Sequence, residues 1–271
     1  MKFFSKFIEN VREKLIFFLP IFFFLPSLYL HFSPVEPVQR GFFCDDESLN
    51  YPFEEKETVP SLICLIIWMS IGVLLMLFKR KTFLKDFFMF VLGLSICTLS
   101  TDLCKFSVGS LRPYFLSICK PDLESICYGE DSFSLDKNDN ETYPKEFYRK
   151  YVSEEVECEN SDLIKEARLS FVSGHTSISF YSAVFLAYLM QKNVNKKVSL
   201  PFQLGIFILA FWISITRLTD YKHHVSDIFF GALLGTIIAW FIKYKQNIFE
   251  EKKVYKEGIE MNTPVEKRLT K

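Results

Sequence analysis

The sequence predicts an all-α membrane protein with six transmembrane helices, and three observations carry that prediction. Of 271 residues, 49% are hydrophobic and 31 are Phe, and they fall in long uninterrupted blocks with the charges between them. The blocks approach the roughly 20 apolar residues that a helix needs to cross a hydrocarbon core about 30 Å thick. The loops that separate them alternate in the sign of their charge. A soluble core helix would show an apolar stripe and not an all-round apolar block. The apolar content, with ten glycines that follow no period, excludes collagen, coiled coil and disorder. Lys and Arg total 32 and Asp and Glu total 32, so the chain lacks the basic excess of a nucleic-acid binder.

Residues 1–14 are basic and amphipathic and read as a cytosolic amino terminus. They lead into the first block, 15–32, which is longer than the apolar core of a signal peptide and is followed by no small-residue cleavage site. It reads as a retained span, kinked at Pro20 and Pro26. Blocks 60–78, 87–106 and 200–215 read as the second, third and fifth spans. The fourth, 177–190, is short unless it starts at Ser170, and the sixth, 225–242, opens on Asp227. Both weak spans lie beside polar clusters. Residues 243–271 read as a charged, flexible cytosolic tail without a prenylation motif.

Loop charge orients the chain. Segments 1–14, 79–86, 191–199 and 243–271 hold 19 basic and 8 acidic residues, whereas 33–59 and 114–170 hold 9 basic and 21 acidic ones. The positive-inside rule places the first set in the cytosol and the second outside or in a lumen, with both termini cytosolic. The Asn140-Glu141-Thr142 triplet is an N-glycosylation acceptor in the outer loop 114–170. Cys44, Cys119, Cys127 and Cys158 also lie in the outer loops. On an oxidising side they form two disulfides in one of three connectivities, or stay partly free. Cys64, Cys97 and Cys104 fall in or at the ends of spans and read as packing residues.

Three polar groups sit where the spans meet this outer face. Lys105 and Arg112-Pro113 leave the third span, Ser173-Gly174-His175 enters the fourth, and Arg217, His223 and Asp227 lie between the fifth and sixth. Ionisable residues at membrane depth are costly and mark function by default, although any one Lys or Arg could snorkel to the interface. The chemistry follows from residue type. An Arg fork matches phosphate bidentately and Lys adds a mobile point charge. Backbone amides at the helix start behind Ser173 suit an anion. His223 and Asp227, four apart, share a helix face, so the carboxylate sets the imidazole tautomer and leaves the other nitrogen nucleophilic. His175 follows the Ser-Gly turn and suits protonation of a leaving alkoxide. A metal site would want more carboxylates beside the histidines than this cationic cluster offers, so no metal is expected. His224 points elsewhere on the helix, and His31 at the end of the first span reads as a surface histidine without partner groups.

In order and on one side, the three groups resemble the signature of the type 2 phosphatidic acid phosphatase (PAP2) family, the lipid phosphate phosphatases. That signature reads K-x6-R-P, P-S-G-H and S-R-x5-H-x3-D. Lys105, Arg112 and Pro113 match the first in full; Val172 stands in place of Pro in the second, and Thr216 in place of Ser in the third. The animal members are resembled further at Arg40-Gly41-Phe42-Phe43-Cys44, at Thr101-Asp102-Leu103-Cys104-Lys105 and at Asp220-Tyr221-Lys222-His223-His224. The resemblance covers roughly residues 10–245 and implies one phosphatase domain over 15–242, with a core bundle like that of vanadium haloperoxidases. It implies a phosphohistidine on His223 oriented by Asp227, His175 as acid, and phosphate held by Lys105, Arg112, Ser173, Gly174 and Arg217. It further implies hydrolysis independent of magnesium and of any cofactor. The implied substrates are phosphatidate, lysophosphatidate, sphingosine 1-phosphate and ceramide 1-phosphate, drawn from the bilayer of the plasma membrane or of ER and Golgi. A homo-oligomer is left open. The competing readings are a same-fold polyprenyl diphosphate or sugar phosphatase, an anion channel or transporter, and a non-catalytic adhesion or signalling protein.

Sidedness is checked directly by glycosidase treatment of the protein expressed in animal cells. It should shift the electrophoretic mobility of the wild type and leave Asn140→Gln unshifted.

Overall fold

The computed structural model describes residues 18–77, 82–123, 126–127, 151–153, 156, 158 and 161–261. Among them are eight α-helices: α1 (Leu19–Phe32), α2 (Ser61–Leu77), α3 (Phe83–Val108), α4 (Phe115–Cys119), α5 (Ser161–Ala167), α6 (Gly174–Asn193), α7 (Lys196–Thr219) and α8 (Val225–Met261). Two short strands, β1 (Phe42–Phe43) and β2 (Tyr151–Val152), pair antiparallel with Phe42 opposite Val152. The helix α3, the helix α7 and the Val225–Ile248 part of α8 are long and apolar enough to cross a membrane by length and composition. The helices α1 and α2 are apolar but shorter. Pro20 stands in the first turn of α1, and the helix runs on past Pro26.

The weak fourth block is the centre of the bundle. α6 starts at Gly174, three residues before the apolar block begins, and packs chiefly on α8 and α7, then on α3 and α2. Its Thr176, Ser177, Ser179 and Ser182 are fully buried. Buried hydroxyls are tolerable where they find partners. Ser177 and Thr101 share a hydrogen bond of 2.8 Å, and Trp68 Nε1 donates to Ser179 Oγ at 2.9 Å. Ringed by protein instead of lipid, α6 has no need of the apolar composition that a lipid-facing span requires. The apolar core joins Tyr181, Phe185 and Leu186 of α6 to Trp68, Phe90, Ile213 and Ile242 of the surrounding helices, all buried. The surrounding helices expose Leu74, Ile208, Phe211, Trp212, Phe229 and Trp240 on their outer faces.

Close approach of α6 and α8 rests on two glycines one helical turn apart. A Cβ on Gly235 would lie 2.1 Å from the Ser177 carbonyl oxygen, and one on Gly231 would lie 2.8 Å from that of Ser173. Gly-Ala-Leu-Leu-Gly is thus a small-xxx-small contact that lets two backbones touch. At the other end of the site, Gly109 closes α3 in the left-handed conformation at φ +59°. A Cβ there would fall 1.7 Å from the Val38 carbonyl oxygen, so the chain leaving α1 lies across the end of α3.

The described residues of 33–59 and 114–170 do more than connect helices. A second core gathers Phe42, Leu49, Leu111, Tyr114, Phe115, Val152 and Ala167. Two disulfides staple it, Cys44–Cys127 and Cys119–Cys158, which resolves the connectivity that the sequence leaves open. Cys64, Cys97 and Cys104 are free, as packing residues should be. At the carboxyl end the structure departs from the expected tail at 243, because α8 continues as one helix to Met261. Residues 1–14, Asn140 and residues 262–271 lie outside the described residues.

The glycine contact predicts a paired outcome. Gly235→Ala should lower the thermal midpoint in detergent by several degrees, an overpacking cost of about 1–3 kcal/mol. Gly205→Ala, at a helical position with nothing within 4 Å, should leave it unchanged or slightly higher.

Candidate active site

Four chain segments converge on the end of the bundle where α6 begins. The last turn of α3 carries Lys105, and the segment after Gly109 carries Arg112. The Arg112 amide donates to the Ala167 carbonyl at 2.8 Å, which ties this segment to the end of α5. The residues entering α6 bring Ser173, Gly174 and His175. The end of α7 carries Arg217, and a tight turn then returns the chain to α8. In that turn the amides of Lys222 and His223 both donate to the Arg217 carbonyl, at 3.0 and 3.3 Å. The turn needs Tyr221 in the left-handed conformation, φ +52°, which is costly for a bulky residue. Its ring stacks on Tyr51 with centroids 4.7 Å apart, which holds the turn in place.

Between these segments lies a cavity of about 430 Å³ whose lining includes Lys105, Arg112, His175, Arg217, Lys222 and His223. Five of the eight residues singled out in the motifs therefore face one space. Ser173 and Asp227 stand behind it, fully buried, and hold each other: the Ser173 amide donates to the Asp227 carbonyl at 3.1 Å. That amide is consequently engaged, and the amides of this helix start left without an intrahelical partner are those of its first turn. Gly174 lines an adjoining cavity instead, where a Cβ would be 3.8 Å from Lys105 Nζ.

His223 is buried, with Nδ1 3.6 Å from Asp227 Oδ2. That is an ion-pair distance, longer than a hydrogen bond, and Nδ1 has no hydrogen-bond partner among the described residues. Asp227 Oδ2 is itself fixed by the Ser170 hydroxyl at 2.6 Å and the His224 amide at 2.9 Å. Burial lowers the His223 pKa, the Arg112 and Lys105 charges push the same way, and Asp227 opposes them. The imidazole is held neutral, with Nδ1 toward the carboxylate and Nε2 free. His175 Nε2 lies 2.9 Å from the Val59 carbonyl oxygen; a carbonyl only accepts, so Nε2 carries the proton.

The cations are strongly organised. Arg217, 1% exposed, gives Nη2 to Asp220 at 2.7 Å and Nη1 to Glu57 at 3.1 Å, while Nε and Nη2 both reach Thr216 Oγ1 at 3.2 Å. The hydroxyl retained at position 216 thus braces the guanidinium. Arg112 Nη1 donates to Glu166 at 3.0 Å and to the Tyr114 hydroxyl at 3.1 Å, and its buried Nε has no hydrogen-bond partner among the described residues. Lys105 has no ion pair among the described residues. Lys222 lies over Phe53 and Tyr114, at 4.5 and 5.1 Å from the ring centroids, and burial lowers its pKa.

Several lining residues escaped the motifs. Glu57, Asp102, Lys165, Glu166 and Lys222 all face the cavity, as does His31, which is exposed as a surface histidine but, against its reading, has neighbouring polar groups. His224 does point away, to the Leu111 carbonyl at 3.1 Å. A second cavity of about 230 Å³ adjoins the first, sharing His31, Ser61, Asp102, Lys105 and His175 and adding Phe24, Leu28, Cys64 and Ile178. Asp102 at this junction accepts a hydrogen bond from Ser27, which ties α1 to α3.

Comparison with known proteins agrees with this geometry. Residues 86–250 match the PAP2 superfamily model. Phospholipid phosphatase 1 of Mus musculus is 31% identical over 247 residues, covering 82% of this chain and 80% of that protein. The putative phosphatidate phosphatase of Drosophila melanogaster is 30% identical over 260 residues, covering 83% of this chain and 66% of that protein. Phospholipid phosphatase 2 of Homo sapiens is 30% identical over 226 residues, covering 75% of this chain and 72% of that protein. No solved structure matches. With its motif residues gathered on one cavity and its sequence similar along most of its length, the chain belongs to the PAP2 superfamily, among the lipid phosphate phosphatases.

Proposed function

We propose that this protein is an integral membrane phosphohydrolase that removes phosphate from lipid phosphate monoesters through a phosphohistidine on His223. The observation that carries the reading is the placement of His223 and His175 on one cavity with Lys105, Arg112 and Arg217, with Asp227 behind His223. Lys105, Arg112, Arg217 and the first-turn amides of Gly174 and His175 hold the phosphate oxygens and stabilise charge on them in the transition state. The Nε2 lone pair of His223 attacks phosphorus, the ester P–O bond breaks, and the departing alkoxide takes a proton from Nδ1 of His175, which the bound phosphate's negative charge holds as imidazolium while its Nε2–H stays on the Val59 carbonyl. Asp227 meets the charge that grows on the His223 ring, and its contact with Nδ1 shortens as that charge develops. Water then attacks phosphorus with its proton going to His175, the P–N bond breaks, and inorganic phosphate leaves both histidines as they began. Every step is complete with the chain's own residues.

The lipid class of substrate is supported by the adjoining cavity, whose Phe24, Leu28 and Ile178 offer an apolar path from the phosphate site along α1. Phosphatidate, lysophosphatidate, sphingosine 1-phosphate and ceramide 1-phosphate fit this arrangement, with the phosphate in the polar cavity and the chain in the bilayer. The two disulfides in the outer segments support a site on the extracellular or lumenal side. The reading includes six spans with cytosolic termini, in the plasma membrane or in ER and Golgi membranes.

Phosphate release from lysophosphatidate, in detergent with chelator present, tests the reading. Wild type should be active, His223→Ala should lose about 10³-fold or more, and Asp227→Asn about 10²–10⁴-fold in kcat with little change in KM. Near-normal turnover by His223→Ala would remove the nucleophile, and loss of wild-type activity to chelator would replace the mechanism with a metal-dependent one. A second measurement follows from the lowered His223 pKa. Below its ordinary value of about 6.5 the unfolded chain takes up a proton that the folded site refuses, so stability falls with pH there. Thermal melts between about pH 6.5 and 5 should show a smaller loss for His223→Gln than for wild type.

A further inference from the structure

The segment Glu57-Thr58-Val59, just ahead of α2, touches three sides of the site although it belongs to none of the three motifs. Glu57 Oε2 accepts from Arg217 Nη1 at 3.1 Å, and its Oε1 lies 3.9 Å from Lys222 Nζ. Thr58 donates to Asp220 from its amide at 2.8 Å and from its hydroxyl at 2.6 Å. The Val59 carbonyl faces His175.

Arg217 therefore has two carboxylate partners, and they differ in kind. Asp220 has a side chain 8% exposed, binds Nη2, is clamped by Thr58, and lies outside the cavity lining. Glu57 has a side chain 25% exposed, holds only Nη1, and lines the cavity. Without Glu57 the guanidinium would keep Asp220 and Thr216, so its charge would stay compensated. The donor that Glu57 occupies, Arg217 Nη1, belongs to a cation on which a phosphate oxygen would be held, and the same carboxylate offsets the charge of Lys222, which lines the cavity. Two anions cannot accept the same hydrogens.

We propose that Glu57 is a resident counter-ion that competes with phosphate for Arg217 and Lys222 and so sets the phosphate affinity of the site. The inference rests on the reading of this cavity as the phosphate site. When a phosphate monoester enters, the Glu57 side chain rotates away while Thr58 keeps the backbone on Asp220 and Val59 keeps its carbonyl on His175. When inorganic phosphate is the occupant, the returning carboxylate speeds its release.

The test is calorimetric titration of inorganic phosphate into the full-length protein in detergent, which needs no turnover. Glu57→Gln removes the charge at nearly constant shape and should bind phosphate about tenfold more tightly than wild type. Glu57→Ala, which also removes the acceptor, should tighten binding at least as much. Unchanged or weaker binding in both variants would overturn the proposal and make Glu57 a structural brace of Arg217. Arg217→Ala separates this outcome from a failure of the functional reading. If it loses phosphate while the Glu57 variants do not gain, only the role of Glu57 falls. If it binds phosphate as wild type does, the cavity is not the phosphate site and both readings fall.

Discussion

Backbone contact between α6 and α8 at Gly231 and Gly235 is the constraint on which the site depends. The start of α6 carries His175 and the start of α8 carries Asp227, with His223 just ahead of it. Only because two glycines let these helices touch does the Ser173 amide reach the Asp227 carbonyl. A side chain at either glycine would separate the helices by more than the tolerance of a hydrogen bond, and His175 would move away from His223. Everything else is hung on that pair. α3 brings Lys105 to the side of Gly174, and α7 delivers Arg217 through the turn that ends on His223.

A cluster of cations at the end of a membrane bundle must also be stable while no substrate is bound. Unpaired buried charge is expensive, and the structure answers by giving each arginine an acidic partner from a segment distant in sequence. Arg217 is matched by Glu57 and Asp220, Arg112 by Glu166. The partners are graded by exposure, since Glu166 is 49% exposed and contributes little in water, whereas Asp220 is nearly enclosed. Acidic residues of 33–59 and 114–170, Glu57 and Glu166, thus help neutralise the site. Lys105 stands apart with no ion pair among the described residues, and is the cation most available to a newcomer.

Much of this was readable from the chain alone, and the reasons differ by element. Lys105, Arg112, His175, Arg217 and His223 were legible because each sits at the end of an apolar block, where a charged or polar residue needs a reason. The family followed from their spacing. Glu57 and Glu166 were not legible: an acidic residue in an acidic loop carries no local signal, and Glu57 lies 160 residues from Arg217. His31 was passed over on the same ground, since its neighbours come from α2, α3 and α6. The disulfide pairing depends on the second core, which no periodicity announces. The extent of α6 was understated because apolar length was the measure, and a helix enclosed by other helices does not obey it.

The composition of α6 also bears on how the chain enters a membrane. With Thr176, Ser177, Ser179 and Ser182 on a 20-residue helix, α6 is absent from the described helices apolar enough to cross by composition. Delivered singly to lipid, its hydroxyls would meet hydrocarbon with no partner but their own backbone. Only two residues, Val194 and Asn195, separate it from the far more apolar α7. The two helices are therefore suited to partition together as a hairpin, α7 supplying the transfer free energy that α6 lacks. The bundle's centre, and with it His175, becomes committed to the bilayer only as its neighbours arrive.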